Sequence, residues 1–302
     1  MRLRTFSLVV LILVLSLLPV SAYATTIPIL GSDLSTFAIL GGGGAALNGT
    51  GSVITGSVGA CCVAVAVTGV IPTNFTISGG TVQNGGITAA AAQGELVTAM
   101  TALSNATHTG TESSLGGLVL GPGVYSSSGT MDLTGTLTLD GQGNANALWI
   151  FQVGSSLSTA SSSVVNVINT GAGAGVYWVL PTTSGSASLG SNSTFEGNIL
   201  AQIGIAVDTN VTDSCGRLLT QTASVTLAGT DTIGIGNSCT GFLAGSNGSS
   251  GGQILTINGV PVAAPLAPAS VPEPGTFALL LSGLLAMVFL TFRKSRVSSL
   301  TR

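Results

Sequence analysis

The segment Leu133-Thr-Gly-Thr-Leu-Thr-Leu-Asp140 (LTGTLTLD) decides the fold class of this 302-residue chain. Successive side chains of a β-strand point to opposite faces, so residues two apart share a face. Read with that period, the three leucines of the segment share one face and its three threonines share the other. The pattern predicts a strand with a buried leucine side and an exposed threonine side.

Similar segments recur after this one, and each follows another run of strand-forming residues. Their starts lie 24, 32, 18 and 20 residues apart. Recurring short strands at unequal spacing predict a β-solenoid whose corners carry insertions, with a β-sandwich as the alternative because it also contains many short strands. The segments start at Leu133, Leu157, Leu189, Val207 and Leu227, and the preceding runs start at Gly123, Leu148, Val176, Asn198 and Leu218.

Laying the five segments on one another predicts two outward columns of short, uncharged side chains. Neighbouring rungs of a parallel sheet are about 4.7–4.9 Å apart, and alternate residues along a strand about 6.6–6.8 Å. The columns therefore predict a flat, rigid lattice of hydroxyl and amide groups. One column is Thr136, Ala160, Asn192, Asn210 and Thr230; the other is Thr138, Ser162, Thr194, Thr212 and Thr232; an inward column is Leu137, Ser161, Ser193, Val211 and Asp231.

One segment, Thr88–Ala106, has a convincing helical pattern. It is rich in alanine, and Leu96, Met100 and Leu103 share one face at a spacing of four and three residues. Thr88 is a suitable N-cap. We expect this face to pack against the β domain.

Both ends of the chain are typical of export signals. Residues 1–24 combine two arginines, an apolar run and the small-residue site Ala22-Tyr-Ala24, which predicts a cleaved signal peptide. The domain of residues 25–259 is followed by a Pro-rich linker (260–274) and a hydrophobic segment with a basic tail (275–302). Val271-Pro-Glu-Pro274, the hydrophobic segment and the tail resemble the PEP-CTERM sorting signal. That resemblance implies processing by an exosortase-type enzyme, membrane contact only through the terminal segments, and delivery to the surface or extracellular matrix of a Gram-negative bacterium.

Charge and chemistry exclude several classes of function. Between Thr25 and Ser270 the chain has nine acidic residues and one base, Arg217, for a net charge of 1 − 9 = −8. Nucleic-acid binding needs clustered Lys and Arg, so we exclude it. The single histidine, His108, lies in a polar loop without an obvious catalytic partner, and we expect no enzyme activity, no cofactor and no metal site.

The cysteines and tryptophans have structural interpretations. Cys215 and Cys239 are 24 residues apart, about one predicted solenoid turn, so we expect a disulfide between them, as in an exported protein. The adjacent Cys61 and Cys62 have no assignable partners. Trp149 and Trp178 occupy equivalent strand runs and are predicted to lie in the core or a seam rather than on a carbohydrate-binding platform.

Several linked motifs between Ser32 and Ile233 closely resemble the DUF3494 ice-binding protein family. They are Thr36-Phe-Ala-Ile-Leu-Gly-Gly, Thr55-Gly-Ser-Val-Gly, Leu115-Gly-Gly-Leu-Val-Leu-Gly-Pro-Gly-Val-Tyr, Leu133-Thr-Gly-Thr-Leu-Thr-Leu-Asp, Trp149-Ile-Phe-Gln-Val-Gly-Ser-Ser-Leu-Ser-Thr-Ala and Phe195-Glu-Gly-Asn-Ile-Leu-Ala. The resemblance implies a mainly β fold, a discontinuous right-handed β-solenoid of triangular cross-section with one long α-helix packed alongside.

It also implies a secreted or surface-exposed protein that adsorbs to ice crystals through a flat, Thr-rich solenoid face. Combined with the predicted columns, the expected ice-binding residues are Thr136, Thr138, Ser162, Asn192, Thr194, Asn210, Thr212, Thr230 and Thr232. Two alternatives stay open. One is a non-enzymatic matrix or adhesion protein with the same fold and no ice activity, and the other is a carbohydrate-acting enzyme, which the lack of paired carboxylates disfavours.

Overall fold

The strand-forming runs build three parallel sheets around one interior in a computed structural model of the chain. The structure describes residues 27–28, 30–48, 50–61, 67–69, 75–171, 174–213, 215–235, 253–257 and 260–263. These residues all belong to one unit, 1–264. The predicted signal peptide, the hydrophobic segment 275–302, Cys62 and Cys239 lie outside the described residues.

The turns of the solenoid pass through the three sheets in a fixed order. The chain passes through the helix-side sheet, then the second sheet, then the third sheet, as in Leu148–Val153, Ser156–Thr159 and Val164–Ile168. In spatial order, the helix-side sheet contains Val82–Asn84, Ser57–Ala60, Phe37–Gly41, Arg217–Thr220, Asn198–Ala201, Gly175–Leu180, Leu148–Val153, Gly123–Ser127 and Gly110–Thr111. The second sheet contains Met131–Leu133, Ser156–Thr159, Ser186–Leu189, Ile205–Val207, Ser224–Leu227, Gly44–Leu47 and Val67–Thr68.

The third sheet has two parts. One part contains Val119–Leu120, Thr136–Asp140 and Val164–Ile168, and the other contains Thr212–Asp213, Thr232–Gly234, Ser52–Thr55 and Phe75–Ser78. Single bridges from Thr194 to Val164 and to Thr212 join the two parts. The strands of all three sheets pair in parallel, which excludes the alternative of an antiparallel β-sandwich.

The solenoid is discontinuous, as the family resemblance implies. The N-terminal strand Phe37–Gly41 pairs with Arg217–Thr220, so the N-terminal rungs extend the stack beyond its C-terminal rungs. The chain must then return to the opposite end of a nine-stranded sheet, a distance of about 38 Å at strand spacing. The 18-residue helix covers most of that distance, about 27 Å at 1.5 Å per residue. The predicted discontinuous right-handed solenoid with one helix alongside is confirmed.

The helix runs from Ile87 to Ser104, close to the predicted bounds. Its N-cap is Gly86, with φ of 94°, and not Thr88 as predicted, because the helix begins one residue before that threonine. Leu96, Met100 and Leu103 are buried as expected, together with Ala89, Ala92 and Ala99. They pack on the outer side of the helix-side sheet.

Aromatic side chains stack along the interior between the sheets. The ring centroids of Phe151 and Trp178 are 4.0 Å apart with nearly parallel planes, and Tyr125 and Phe195 extend the stack on either side. Trp149 and Trp178 are fully buried, and the indole N–H of Trp149 donates to the Leu120 carbonyl at 3.2 Å. Both tryptophans are core residues, as predicted.

A small antiparallel sheet contains Ile27–Pro28, Gln253–Ile257 and Val260–Ala263, the last strand falling within the first residues of the predicted linker. Cys61 and Cys215 are both disulfide-bonded. The backbone of Cys215 forms an isolated β-bridge with that of Ile235, four residues before Cys239. Cys239 lies outside the described residues, so the Cys215–Cys239 disulfide stays a prediction. Within the described ranges, no helix is long and apolar enough to cross a membrane.

Candidate functional site

The corner between the second and third sheets presents a row of exposed polar side chains, which we call the corner column: Ser162, Asn192, Asn210 and Thr230. The strand pairings before and after the corner show which residues of the corner column lie level with one another. Leu189 pairs with Val207 and Thr194 with Thr212, both at an offset of 18, which places Asn192 level with Asn210. The Asn210 side-chain N–H donates to the side-chain oxygen of Asn192 at 3.2 Å, so adjacent rungs are also joined on the outside.

A second exposed row runs across the third sheet, near the start of its strands. We call it the threonine column, and backbone β-pairings connect all its members: Thr136, Val164, Thr194, Thr212, Thr232, Val53 and Thr76. Thr194 and Thr232 are exposed and Thr212 is half-buried. The residue after each one points inward: Leu137, Phe195 and Ile233 are buried, and Ile77, after Thr76, is half-buried.

Three of the nine predicted site residues occupy other columns than expected. The predicted alignment matched Leu157 to Leu133, but Leu157 pairs with Met131, and Leu133 pairs with Thr159. Ser162 therefore belongs to the corner column and not with Thr194. Thr136 joins the threonine column. Thr138 lies two residues further along the same strand, opposite Asn166. The cause is a corner two residues shorter after Leu133, which strand periodicity does not reveal.

The other six predicted residues occupy the predicted columns. Asn192, Asn210 and Thr230 share one, and Thr194, Thr212 and Thr232 share the next. Ser162, Asn192 and Asn210 have φ of 60°, 60° and 62°. Asparagine tolerates this left-handed conformation better than most residues, which gives a local reason for its presence in the turn.

A buried row, polar at four of its five positions, lies directly beneath the corner column. It contains Ser163, Ser193, Val211, Asp231 and Ser52, each at most 1% exposed. The Ser163 hydroxyl donates to the Leu133 carbonyl at 2.9 Å, and that of Ser193 donates to the Ala160 carbonyl at 3.2 Å. These bonds join neighbouring rungs from the inside. The sequence prediction gave Ser161 in this row, but the two-residue shift places Ser163 there.

Neither exposed column contains a charged residue. Asp208 is exposed beside the corner, while Asp231 is buried beneath it. Burial raises the pKa of the Asp231 carboxyl. Two residues after Thr194, burial raises the pKa of Glu196 to about 7. One residue after Thr212, burial also raises the pKa of Asp213. The two columns are therefore a neutral surface of hydroxyl, amide and methyl groups.

Sequence reasoning missed the continuation of the two columns on the N-terminal rungs. Val53 and Thr76 continue the threonine column, and Thr50 lies next to Thr230 at the corner. The alternation in Ser52-Val-Ile-Thr55 and Phe75-Thr-Ile-Ser78 is the signal that could have found these strands. Their position beside the C-terminal rungs follows only from the discontinuous chain order.

The other two outer surfaces of the solenoid differ from this one. The helix covers the helix-side sheet. The second sheet carries Ser158, Ser188, Ala206 and Thr226 on its outer side, and a depression of about 510 Å³ lies over them. In the part of the chain that the structure describes, no three His, Cys, Asp or Glu side chains cluster as metal ligands, and His108 is exposed.

Comparisons of sequence and of structure with known proteins identify the same family. The Ice-binding-like family matches residues 39–233. The chain is 37% identical over 299 residues to an ice-binding protein of Nostoc sp. (strain HG1), covering 96% of both chains. The crystal structure of an ice-binding protein from the Antarctic ascomycete Antarctomyces psychrotrophicus aligns with a TM-score of 0.62 and 32% identity, over 71% of this chain and all of that one. The DUF3494 domain of ice-binding protein 1 from Shewanella frigidimarina aligns with a TM-score of 0.57 and 25% identity, over 69% of this chain and 97% of that one.

Proposed function

We infer the function from the premise that this chain belongs to the Ice-binding-like family. The protein binds ice, and the surface that adsorbs to it is the corner column together with the threonine column on the rungs from Thr136 to Thr232. The observation that carries the assignment is the register: two neutral, exposed columns remain aligned over consecutive rungs, through Asn192, Asn210 and Thr230 and through Thr194, Thr212 and Thr232.

Physical chemistry supports adsorption through these columns. Stacked rungs repeat their side chains about every 4.7–4.9 Å, and rigid parallel strands keep that repeat fixed. Threonine methyl groups bury apolar area against the crystal while hydroxyl and amide groups hydrogen-bond its surface water. Because the array is already ordered, little conformational entropy is lost on adsorption. A charged side chain would hold its own hydration water in a geometry that ice does not share.

The helix limits which outer face of the solenoid can adsorb to ice. The helix occupies the helix-side sheet, so that sheet offers no exposed plane. Of the other two sheets, we assign adsorption to the third sheet and its corner, where the two aligned columns lie.

The protein acts without catalysis and without a cofactor, since adsorption needs only surface complementarity. We further propose that it is secreted or displayed on the outer surface or extracellular matrix of a Gram-negative bacterium. The predicted signal peptide of residues 1–24 and the PEP-CTERM-like segment, with its exosortase-type processing enzyme, support this location. Both segments lie outside the described residues, and membrane contact is confined to them.

Ice recrystallisation and thermal hysteresis measured on the purified protein test the assignment. We expect recrystallisation to be inhibited and growing ice crystals to be faceted. A folded protein that leaves ice growth unchanged would favour the alternative of a structural or adhesive matrix protein, which needs the solenoid but not the neutral columns.

A further inference from the structure

The chain discontinuity falls at the Thr232 end of the proposed ice-binding surface. The rung that contains Arg217–Thr220, Ser224–Leu227 and Thr232–Gly234 stacks on the rung that contains Phe37–Gly41, Gly44–Leu47 and Ser52–Thr55. No short connection holds these two rungs together, because their corners are about 180 residues apart in sequence. Side-chain and backbone contacts must fix their register.

The two corners also differ in length. Leu227 pairs with Leu47 and Thr232 pairs with Val53, so the first corner advances 232 − 227 = 5 residues and the second 53 − 47 = 6. The extra residue must be accommodated at the corner without displacing the exposed column. Gly51, with φ of 79°, adopts a left-handed conformation within this longer turn.

Asp231 and Ser52 make the contacts that fix this junction. The Asp231 backbone N–H donates to the Ser52 hydroxyl oxygen at 2.9 Å, and the Ser52 hydroxyl donates to the Gly229 carbonyl. One carboxylate oxygen of Asp231 accepts the backbone N–H of Val211 at 2.9 Å. Asp231 therefore joins three consecutive rungs, those of Val211, Asp231 and Ser52, from beneath the corner column.

The exposed side of the same junction is continuous. The Thr230 hydroxyl donates to the Thr50 carbonyl at 2.9 Å, and the threonine column passes from Thr232 to Val53 and on to Thr76. Thr50 and Thr76 are exposed, and Val53 is 38% exposed. Valine resembles threonine in shape and keeps a methyl group at the surface.

We propose that the ice-binding surface continues across the chain discontinuity onto the N-terminal rungs, and that Asp231 and Ser52 are the positioning residues that hold those rungs in register. The inference rests on the proposed function, because it assigns further residues to the same surface. The equivalent inner positions on neighbouring rungs are Ser193 and Val211, so an acidic residue is not a requirement of the corner itself. Asp231 occurs at the rung that meets the discontinuity.

Two variants test the two parts of the proposal. Thr76→Tyr places a bulky ring on the N-terminal part of the threonine column, far along the chain from Thr212. We expect thermal hysteresis and recrystallisation inhibition to fall roughly tenfold, equivalent to about 1.4 kcal/mol of adsorption energy. The melting temperature should stay within about 2 °C, since exposed sites tolerate substitution.

Asp231→Ala removes the acceptor for the Val211 N–H. Its matched control is Thr220→Val, on the same rung but at the corner between the helix-side and second sheets, where the buried Thr220 hydroxyl donates to the Ala223 carbonyl at 2.6 Å. Both variants lose a buried hydrogen bond, so both should melt earlier. Only Asp231→Ala should lose most of its ice activity at temperatures where both proteins are folded, and Asp231→Asn, which keeps an acceptor, should recover it.

The outcomes separate this inference from the proposed function. If Thr212→Tyr abolishes activity but Thr76→Tyr retains it in full, the surface ends at the discontinuity and the inference is wrong. If Asp231→Ala loses no more activity than Thr220→Val, Asp231 contributes only stability. If Asp231→Ala does not fold, the activity of Thr76→Tyr decides the question alone. Loss of activity in Thr76→Tyr but not in Thr98→Tyr, on the exposed side of the helix, supports the inference.

Discussion

The side-chain amide of Asn210 donates a hydrogen bond to the side-chain carbonyl of Asn192, 3.2 Å away on the adjacent rung. The contact lies on the exposed corner between the second and third sheets, where both residues have left-handed backbone conformations. It orients two amides that would otherwise rotate freely in solvent. A polar row fixed in this way loses less entropy when it meets an ordered surface.

Asn210→Asp should abolish most of the ice activity. The carboxylate would add to the negative charge of Asp208, so it would bind water strongly in place of an ordered amide row. Thermal hysteresis should fall while the free energy of unfolding changes by about 0.5 kcal/mol or less, as at other exposed sites. Asn146→Asp, in an exposed turn before the helix-side strand Leu148–Val153, is the control of equal charge. Full activity in Asn210→Asp would remove the corner column from the site.

Glu196 should make the protein less stable as the pH rises through neutrality. Burial raises its folded-state pKa to about 7 from an ordinary value of 4.5, so the folded protein binds this proton more tightly. The resulting stabilisation is fully present below pH 4.5 and is lost as the pH rises through about 7. Asp213, whose pKa burial and the nearby Glu196 also raise, acts in the same direction.

Glu196→Gln tests this pH dependence. Thermal melts at pH 5 and pH 8 should show the wild type losing stability on the order of 1–3 kcal/mol over this range, and the variant losing less. At pH 8 the variant should be the more stable protein. An unchanged difference between the two pH values would mean that Glu196 is not the titrating group.

Phe151→Ala should be among the most destabilising single substitutions in the described part of the chain. Phe151 stacks between Tyr125 and Trp178, with centroid separations of 5.6 and 4.0 Å, so truncation leaves a large cavity between two rungs. Chemical denaturation should show a loss of about 3–5 kcal/mol. Phe151→Leu, which fills more of the cavity, should lose distinctly less. A loss in Phe151→Ala no larger than in Phe151→Leu would contradict this account of the core.

Strand identity and the buried helix face followed from the sequence, because both depend on local periodicity. The alternating leucines and threonines after Leu133 predicted a strand with one buried face, and Leu96, Met100 and Leu103 predicted the helix packing. The column register was partly wrong because the corners vary in length. A corner shorter by two residues preserves the inward and outward alternation, so Thr136, Thr138 and Ser162 still face outward but lie in other columns.

The long-range arrangement needed more than periodicity. Nothing in the local pattern of Phe37–Gly41 indicates that it pairs with Arg217–Thr220, and only the family resemblance implied a discontinuous solenoid. Arg217, the only base between Thr25 and Ser270, was equally unpredictable. It is buried, and its guanidinium donates to the Asn198 side chain at 2.9 Å and to the Ser35 carbonyl at 2.8 Å. It thereby ties the N-terminal segment to two rungs of the solenoid.

The most direct test of the central claim compares Thr212→Tyr with Thr98→Tyr. Thr212 lies in the middle of the threonine column, between Thr194 and Thr232, whereas Thr98 is exposed on the helix, away from the columns. Both proteins should melt within about 2 °C of the wild type. The account predicts that Thr212→Tyr loses thermal hysteresis and recrystallisation inhibition while Thr98→Tyr keeps both. Wild-type activity in a folded Thr212→Tyr protein would contradict it and assign ice binding to another face.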